Sequence, residues 1–231
     1  MAEVIVVAEG QSEARAVTQV LTPHLRAFSV FIKPELVGKK VRHDVSSHHG
    51  GVLDYKPVRE HIRATLRRYD RPHQHVTTMI DFYSLPANTP GTADARHVTV
   101  PDEAATIIER AMSEDVGDVR FIPYLQLHES EALVLADVDR LADHYRDIYS
   151  DWAARIGRLS QLVNQCGGPE HVNGGRKTHP AARIISEFPA YQRAKSFVGP
   201  AVAAAIGLPR LREACPHFSK WVTRLEQLGQ Q

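Results

Sequence analysis

Glu3-Val4-Ile5-Val6-Val7-Ala8-Glu9-Gly10 is the stretch that decides the fold. After Glu3 the run is short, β-branched and continuously apolar. That is the pattern of a strand buried on both faces of a parallel sheet, not the alternation of a half-exposed one. It closes on Glu9-Gly10, and Ser12-Glu13 lead into Ala16, Val17, Val20, Leu21 and Leu25 at helical spacing. Strand, glycine turn and helix make the first half of a βαβ unit.

The same alternation continues outward. Residues 28–37 are expected to hold a second strand, and residues 44–55, with Ser46, Ser47, His48, His49, Gly50 and Gly51, a loop. Val58, Ile62, Leu66 and Tyr69 recur at helical spacing, and residues 75–81 read as a strand closing on Asp81. Residues 84–100 carry Pro86, Pro90 and Gly91 and read mostly as loop. Pro101-Asp102-Glu103 opens a helix, with proline in the first turn and acids at the positive end of the dipole. Residues 119–127 read as a further strand, whose Pro123 argues for an edge position or a bulge. Beyond Glu129 the pattern is helical, over 129–136, 138–149, 151–165, 180–187, 198–207 and 217–228, with 167–180 linker-like. The expected architecture is α/β: a Rossmann-like, mostly parallel sheet flanked by helices over 1–135, and a helical C-terminal lobe over 136–231 packed on it.

The 231 residues are 43% hydrophobic and 24% charged, a globular composition that excludes collagen-like, coiled-coil and disordered chains. Two cysteines, Cys166 and Cys215, cannot build a disulfide framework or a four-cysteine zinc site, and read as inert thiols. The opening residues lack a basic region and carry Glu3 and Glu9, so no signal peptide is expected. No stretch reaches the apolar length of a membrane span, and a cytoplasmic protein is expected. The net charge of +1 hides segregation: residues 81–151 hold 15 acidic against 5 basic side chains, while residues 1–80 hold 12 basic against 8 acidic. Solvated helix faces explain most such asymmetry, but a polyanion or metal partner produces it too.

Three strand ends carry carboxylates: Glu9 after the first, Asp81 after the strand at 75–81, and Glu129 with Glu131 after the strand at 119–127. In a parallel sheet these ends share one edge, where ligands bind. Acids crowded there repel one another unless protons or a cation intervene. Hard oxygen donors of this kind suit Mg²⁺ or Mn²⁺, which can activate water against a phosphodiester. A lone acid after a strand is more often a helix cap, so the signal lies in the convergence of several.

Other motifs are weaker. His128-Glu129-Ser130-Glu131 fails the zinc-protease pattern because position 132 is alanine, and Gly174-Gly175-Arg176-Lys177-Thr178 lacks the order and preceding strand of a phosphate loop. His48-His49 has no third ligand at a sensible spacing, and no Gly-x-Ser-x-Gly motif is present. Arg59, Arg63 and Arg67 form a ladder on one helical face. With Arg176 and Lys177, and with Arg183 and Lys195 flanking Tyr191, they are candidates for phosphate contacts with nucleic acid. Each taken alone is more often a solvated surface charge.

Val-Val-Ala-Glu-Gly-Gln-Ser-Glu at 6–13, Met-Ile-Asp-Phe-Tyr-Ser-Leu-Pro at 79–86, Ile-Pro-Tyr-Leu-Gln-Leu-His-Glu-Ser-Glu-Ala-Leu at 122–133, and Cys-Pro-His-Phe with Trp221 carry a resemblance over nearly the whole chain. The chain resembles the Toprim-related proteins of domain-of-unknown-function family 4276. The resemblance implies a Toprim-like core and a nuclease that uses Mg²⁺ or Mn²⁺ on DNA or RNA, as a subunit of a defence or DNA-processing system beside an ATPase of the chromosome-maintenance type. It makes Glu9 a metal ligand or general acid/base and Asp81 the first acid of an Asp-x-Asp pair. Tyr83 stands where the second Asp belongs, and Glu129 or Glu131 is left to supply the missing ligand. The alternative is a non-catalytic interaction module that binds an ATPase or nucleic acid, which Tyr83 favours. A phosphotransfer enzyme acting on nucleotides is a third reading, disfavoured by the missing phosphate loop.

Overall fold

The structure is a computed structural model, described here for residues 1–37, 54–172 and 177–230. The histidine-glycine segment at 48–51 and Arg176 lie outside these residues. The strands are β1 (Ala2–Ala8), β2 (Val30–Leu36), β3 (Gln74–Asp81), β4 (Phe121–Ile122) and β5 (Leu125–Gln126). All pairings are parallel, in the order β2-β1-β3-β4, with β5 also on β3. The molecule is therefore α/β with a mostly parallel sheet between helices. β1 lies inside the sheet and Val4 to Ala8 are fully buried, as its continuous apolar run requires. β2 forms one edge, where Pro34 has no N–H to lose to a further strand and Lys33 and Glu35 discourage pairing with another chain.

The expected strand at 119–127 is two short pieces on the other edge. Pro123 cannot donate to the ladder, and the gap is closed from β3. The Thr78 hydroxyl donates to the Tyr124 carbonyl at 2.8 Å and accepts the Tyr124 N–H at 2.9 Å.

The helices are α1 (Gln11–Ala16), α2 (Thr22–Leu25), α3 (Tyr55–Arg68), α4 (Thr92–Ala95), α5 (Pro101–Val116), α6 (Glu131–Val134), α7 (Ala142–Tyr145), α8 (Trp152–Cys166), α9 (Pro180–Glu187), α10 (Tyr191–Ile206), α11 (Leu208–Ala214) and α12 (Pro216–Leu228). Between α1 and α2 the turns of Val17–Leu21 widen to π geometry. Pro23 accounts for this: it lacks an N–H and its ring would strike the Gln19 carbonyl. The Thr22 N–H instead reaches back five residues to Val17.

α10 begins seven residues earlier than the breakers Gly199-Pro200 suggest and runs through both. Pro200 leaves the carbonyl of Ser196 without its helical donor, and Arg15 supplies one, its guanidinium 2.7 Å from that oxygen. A short 3₁₀ stretch, Leu135–Leu141, and α7 replace the single helix expected at 138–149.

Each sheet face has its own apolar layer. α3 and α5 cover one through Val58, Ile62, Leu66, Ile108 and Met112. The other is covered by the π stretch after α1, by α2 and by the C-terminal α11 and α12, through Val17, Leu21, Leu25, Leu211, Phe218, Val222 and Leu225. A third layer inside the helical lobe joins Leu141, Tyr145, Leu159, Ile184, Phe188 and Val202. The C-terminal helices thus form one wall of the core, which the sheet needs in order to be buried on both sides.

A ring column fastens that wall. Trp221 stacks on Tyr124 at 4.0 Å and 4°, His217 lies over Tyr124 at 5.4 Å, and the Trp221 indole N–H donates to Thr77 at 2.9 Å. Burial alone would lower the His217 pKa, but hydrogen bonds to Glu109 and Asp102 hold it above its ordinary value. Trp221→Ala empties a large fully packed volume and is expected to cost about 3–5 kcal/mol in urea unfolding, the usual range for Trp-to-Ala in a core.

Candidate functional site

The parallel register carries the ends of β1, β3 and β5 to one sheet edge, and the acids meet there. The Asp81 N–H donates to Glu9 Oε2 at 3.1 Å, joining the first two strand ends directly. Burial lifts the Asp81 pKa well above the usual carboxylate range, and the charges of Glu13, Glu9, Glu129 and Glu131 add to the effect. The other four carboxylates therefore all act on Asp81. Glu131 is 3% exposed, and burial pushes its pKa up to about 7 against the pull of Lys195, with Glu129 and Glu13 raising it further.

Each acid is held differently. Glu129 is fixed from α9: the His179 ring Nδ1 lies 2.8 Å from Glu129 Oε2, and the Ala181 N–H donates to the same oxygen at 3.0 Å. Glu131 begins α6 and meets α10, with the Tyr191 hydroxyl 3.4 Å and the Lys195 ammonium 3.9 Å from its Oε1. Lys195 is raised in turn, chiefly by Glu131 and further by Glu129, Asp81 and Glu13. Gly199 makes room for this arrangement, since a Cβ there would stand 2.7 Å from the Tyr191 hydroxyl. A cavity of about 10 Å³ lies between Ser12, Glu131, Tyr191, Lys195 and Gly199, enough for roughly one water.

Glu13 is the acid the sequence reading passed over. Its side chain is 6% exposed in the first turn of α1 and makes no hydrogen bond or ion pair with the described residues. Its signal is the four-residue spacing from Glu9 across Gly10, which brings the first helical turn back over the strand end. As a first-turn acid it was indistinguishable from a dipole complement. His179, at the end of the linker-like stretch, and Tyr191 were likewise legible only as types.

The backbone at the cluster is constrained. His128, next to Glu129, takes φ +63, uncommon for a residue with a side chain, and is buried with Nε2 2.9 Å from the Glu170 carbonyl. Its own carbonyl accepts the Tyr83 N–H at 3.2 Å. Tyr83 remains 42% exposed and stacks on the His179 ring, centroids 5.4 Å apart and planes at 29°.

The basic candidates divide. Lys195 belongs to the cluster. Lys177 is exposed, two residues before His179, and Arg183, one turn into α9, donates to the Thr178 carbonyl at 3.3 Å. Arg59 and Arg63 are turned elsewhere. Arg59 pairs with the Asp115 carboxylate at 3.2 Å, and Arg63 donates to the Asp115 carbonyl at the end of α5. That is the cation-at-a-C-terminus arrangement that ties two helices together, and both residues leave the site.

Among the described residues no three His, Cys, Asp or Glu side chains are already gathered closely enough to hold a metal ion. Nor is any helix of the described residues long and apolar enough to cross a membrane.

A mostly parallel α/β sheet with an acidic strand-end cluster defines the class of protein. Within it, the chain belongs to the family described as domain of unknown function DUF4276, whose model matches residues 8–226. No curated protein and no solved structure matches the chain.

Proposed function

We propose that this protein is a Toprim-related phosphodiesterase that cleaves nucleic acid with Mg²⁺ or Mn²⁺. The observation that carries the reading is the meeting of Glu9, Glu13, Asp81, Glu129 and Glu131 at one parallel sheet edge, close enough to raise the proton affinity of Asp81 and Glu131. The donor set fits a hard divalent cation: all five are carboxylates, and the buried Glu13 side chain makes no hydrogen bond among the described residues. Glu13 fills the chemical place left by Tyr83, where the Toprim pattern carries its second Asp.

Glu13, Asp81 and Glu131 would hold the ion. When bound, it supplies charge neutralisation at the phosphate and an acidified water. The chain's own groups do the rest. Glu9, less buried than Glu13 and Glu131, takes the proton of the attacking water as general base. Lys195 is a fixed positive charge for the negative phosphate, and Glu129, clamped by His179 and Ala181, keeps the strand end rigid. Lys177 and Arg183 extend the positive side toward a phosphate backbone. Residence in a defence or DNA-processing assembly, with an ATPase as partner, extends the same reading.

Tyr83 favours a second reading, a non-catalytic module that binds the ATPase or the nucleic acid. An assay of Mn²⁺- and Mg²⁺-dependent cleavage over DNA and RNA, run alone and with a co-encoded ATPase, separates the two. The enzyme reading expects metal-dependent cleavage that disappears in Glu9→Ala. Cleavage that survives Glu9→Ala removes Glu9 from the site, and no cleavage in any arm selects the module.

A further inference from the structure

We propose that Tyr83, backed by His179, is a nucleobase-stacking platform at the rim of the acidic cluster, and that the substrate strand enters unpaired, as single-stranded nucleic acid. This deepens the proposed function and rests on its reading of the cluster as a phosphate-handling site.

Four observations converge. Tyr83 follows Asp81 by two residues, so the two Cα atoms lie within about 7 Å, near the span of one nucleotide. Its ring keeps 42% exposure, a large apolar face left in water beside a highly polar site. Both ends of the residue are nevertheless fixed: the N–H is bonded to the His128 carbonyl, and the ring is stacked on His179. His179 is itself fixed by Glu129, which also accepts the Ala181 N–H. An exposed aromatic held this firmly gives up little conformational entropy on binding, which makes it an effective anchor.

Charge decides what kind of ligand such an anchor needs. Five carboxylates repel a phosphate backbone wherever the cation does not mask them, so backbone contacts alone hold a strand weakly there. Lys177 and Arg183, on either side of His179 in the chain, offer cations for neighbouring phosphates. Base stacking adds roughly 1–3 kcal/mol per base with any sequence. A duplex keeps its bases inside the helix and cannot offer a face to Tyr83; an unpaired strand can.

Fluorescence anisotropy on the full chain tests this with labelled 12-mers of DNA and RNA, single-stranded and duplex, in Ca²⁺ and in EDTA. The expected result is tighter binding of single strands than of duplex. Tyr83→Ala should weaken single-strand binding about tenfold, within the stacking range, and Tyr83→Phe should retain it. An abasic strand should bind wild type and Tyr83→Ala alike. A preference for single-stranded DNA or for RNA fits the platform equally and names the substrate. Duplex bound as tightly as single strand overturns the proposal. So does Tyr83→Ala without effect, an equal loss on the abasic strand, or no saturable single-strand binding. Stacking without cleavage in the nuclease assay would sink the enzyme reading and leave this one standing. Cleavage indifferent to Tyr83→Ala would do the reverse.

Discussion

Glu131→Gln is expected to raise the melting temperature of the metal-free protein at pH 8 by about 5–10 °C. Glu131 is buried and its pKa is moved from 4.5 to about 7. A carboxyl with a raised folded-state pKa binds its proton more tightly when folded. Its penalty is absent below pH 4.5, grows as pH rises toward 7, and is complete above it. The shift is worth roughly 3 kcal/mol at 1.36 kcal/mol per unit. For a chain of this size 1 kcal/mol corresponds to about 2–4 °C. Scanning calorimetry from pH 5 to pH 8 should show the wild type losing stability across this window more steeply than the variant. Equal slopes would mean that Glu131 is not held in the crowded, desolvated state described here.

Asp81→Asn should separate stability from activity. The variant keeps the backbone N–H that bonds Glu9, so the strand ends stay joined. It removes the carboxylate most opposed by its neighbours, so the metal-free protein should melt higher than wild type at neutral pH. Metal-dependent cleavage should nevertheless fall about 100-fold or more, since losing one ligand of a catalytic cation removes several kcal/mol of transition-state stabilisation. A variant that is less stable and inactive would reveal only misfolding. One that is more stable and still active would take Asp81 out of the chemistry.

These two effects share a cause: the site is built against the stability of the empty fold. A cation that binds only the folded state returns that stability by mass action, about 2.7 kcal/mol at a hundredfold excess over its dissociation constant.

Much of this was legible in the residues. The continuous β1 run, Gly10 and the carboxylate-terminated strands require a parallel sheet, and a parallel sheet places Glu9, Asp81, Glu129 and Glu131 at one edge. Pro123 marked the other edge strand correctly. What stayed hidden depends on partners far away in sequence. Pro200 reads as a helix breaker because nothing near it shows that Arg15, nearly two hundred residues earlier, caps the freed carbonyl. Arg59 and Arg63 read as phosphate ligands because Asp115 is out of sight along the chain. Glu13 looked like an ordinary first-turn acid because burial is a property of the fold, not of the residue. The matched family model extends the shared pattern over nearly the whole chain without assigning a reaction, so the reaction must be argued from the site.

Calorimetric titration of the metal-free protein with Mn²⁺ at pH 7, in buffers of different ionisation enthalpy, shows whether the carboxylate cluster takes a divalent cation. Burial and crowding raise the proton affinity of Asp81 and Glu131, and a cation must displace any proton they hold, because ligands bind deprotonated. The expected result is saturable binding with proton release, about half a proton from Glu131 at this pH and at most one from Asp81, and loss of that binding in Asp81→Asn. No saturable binding, or binding without proton release that Asp81→Asn leaves intact, would contradict it.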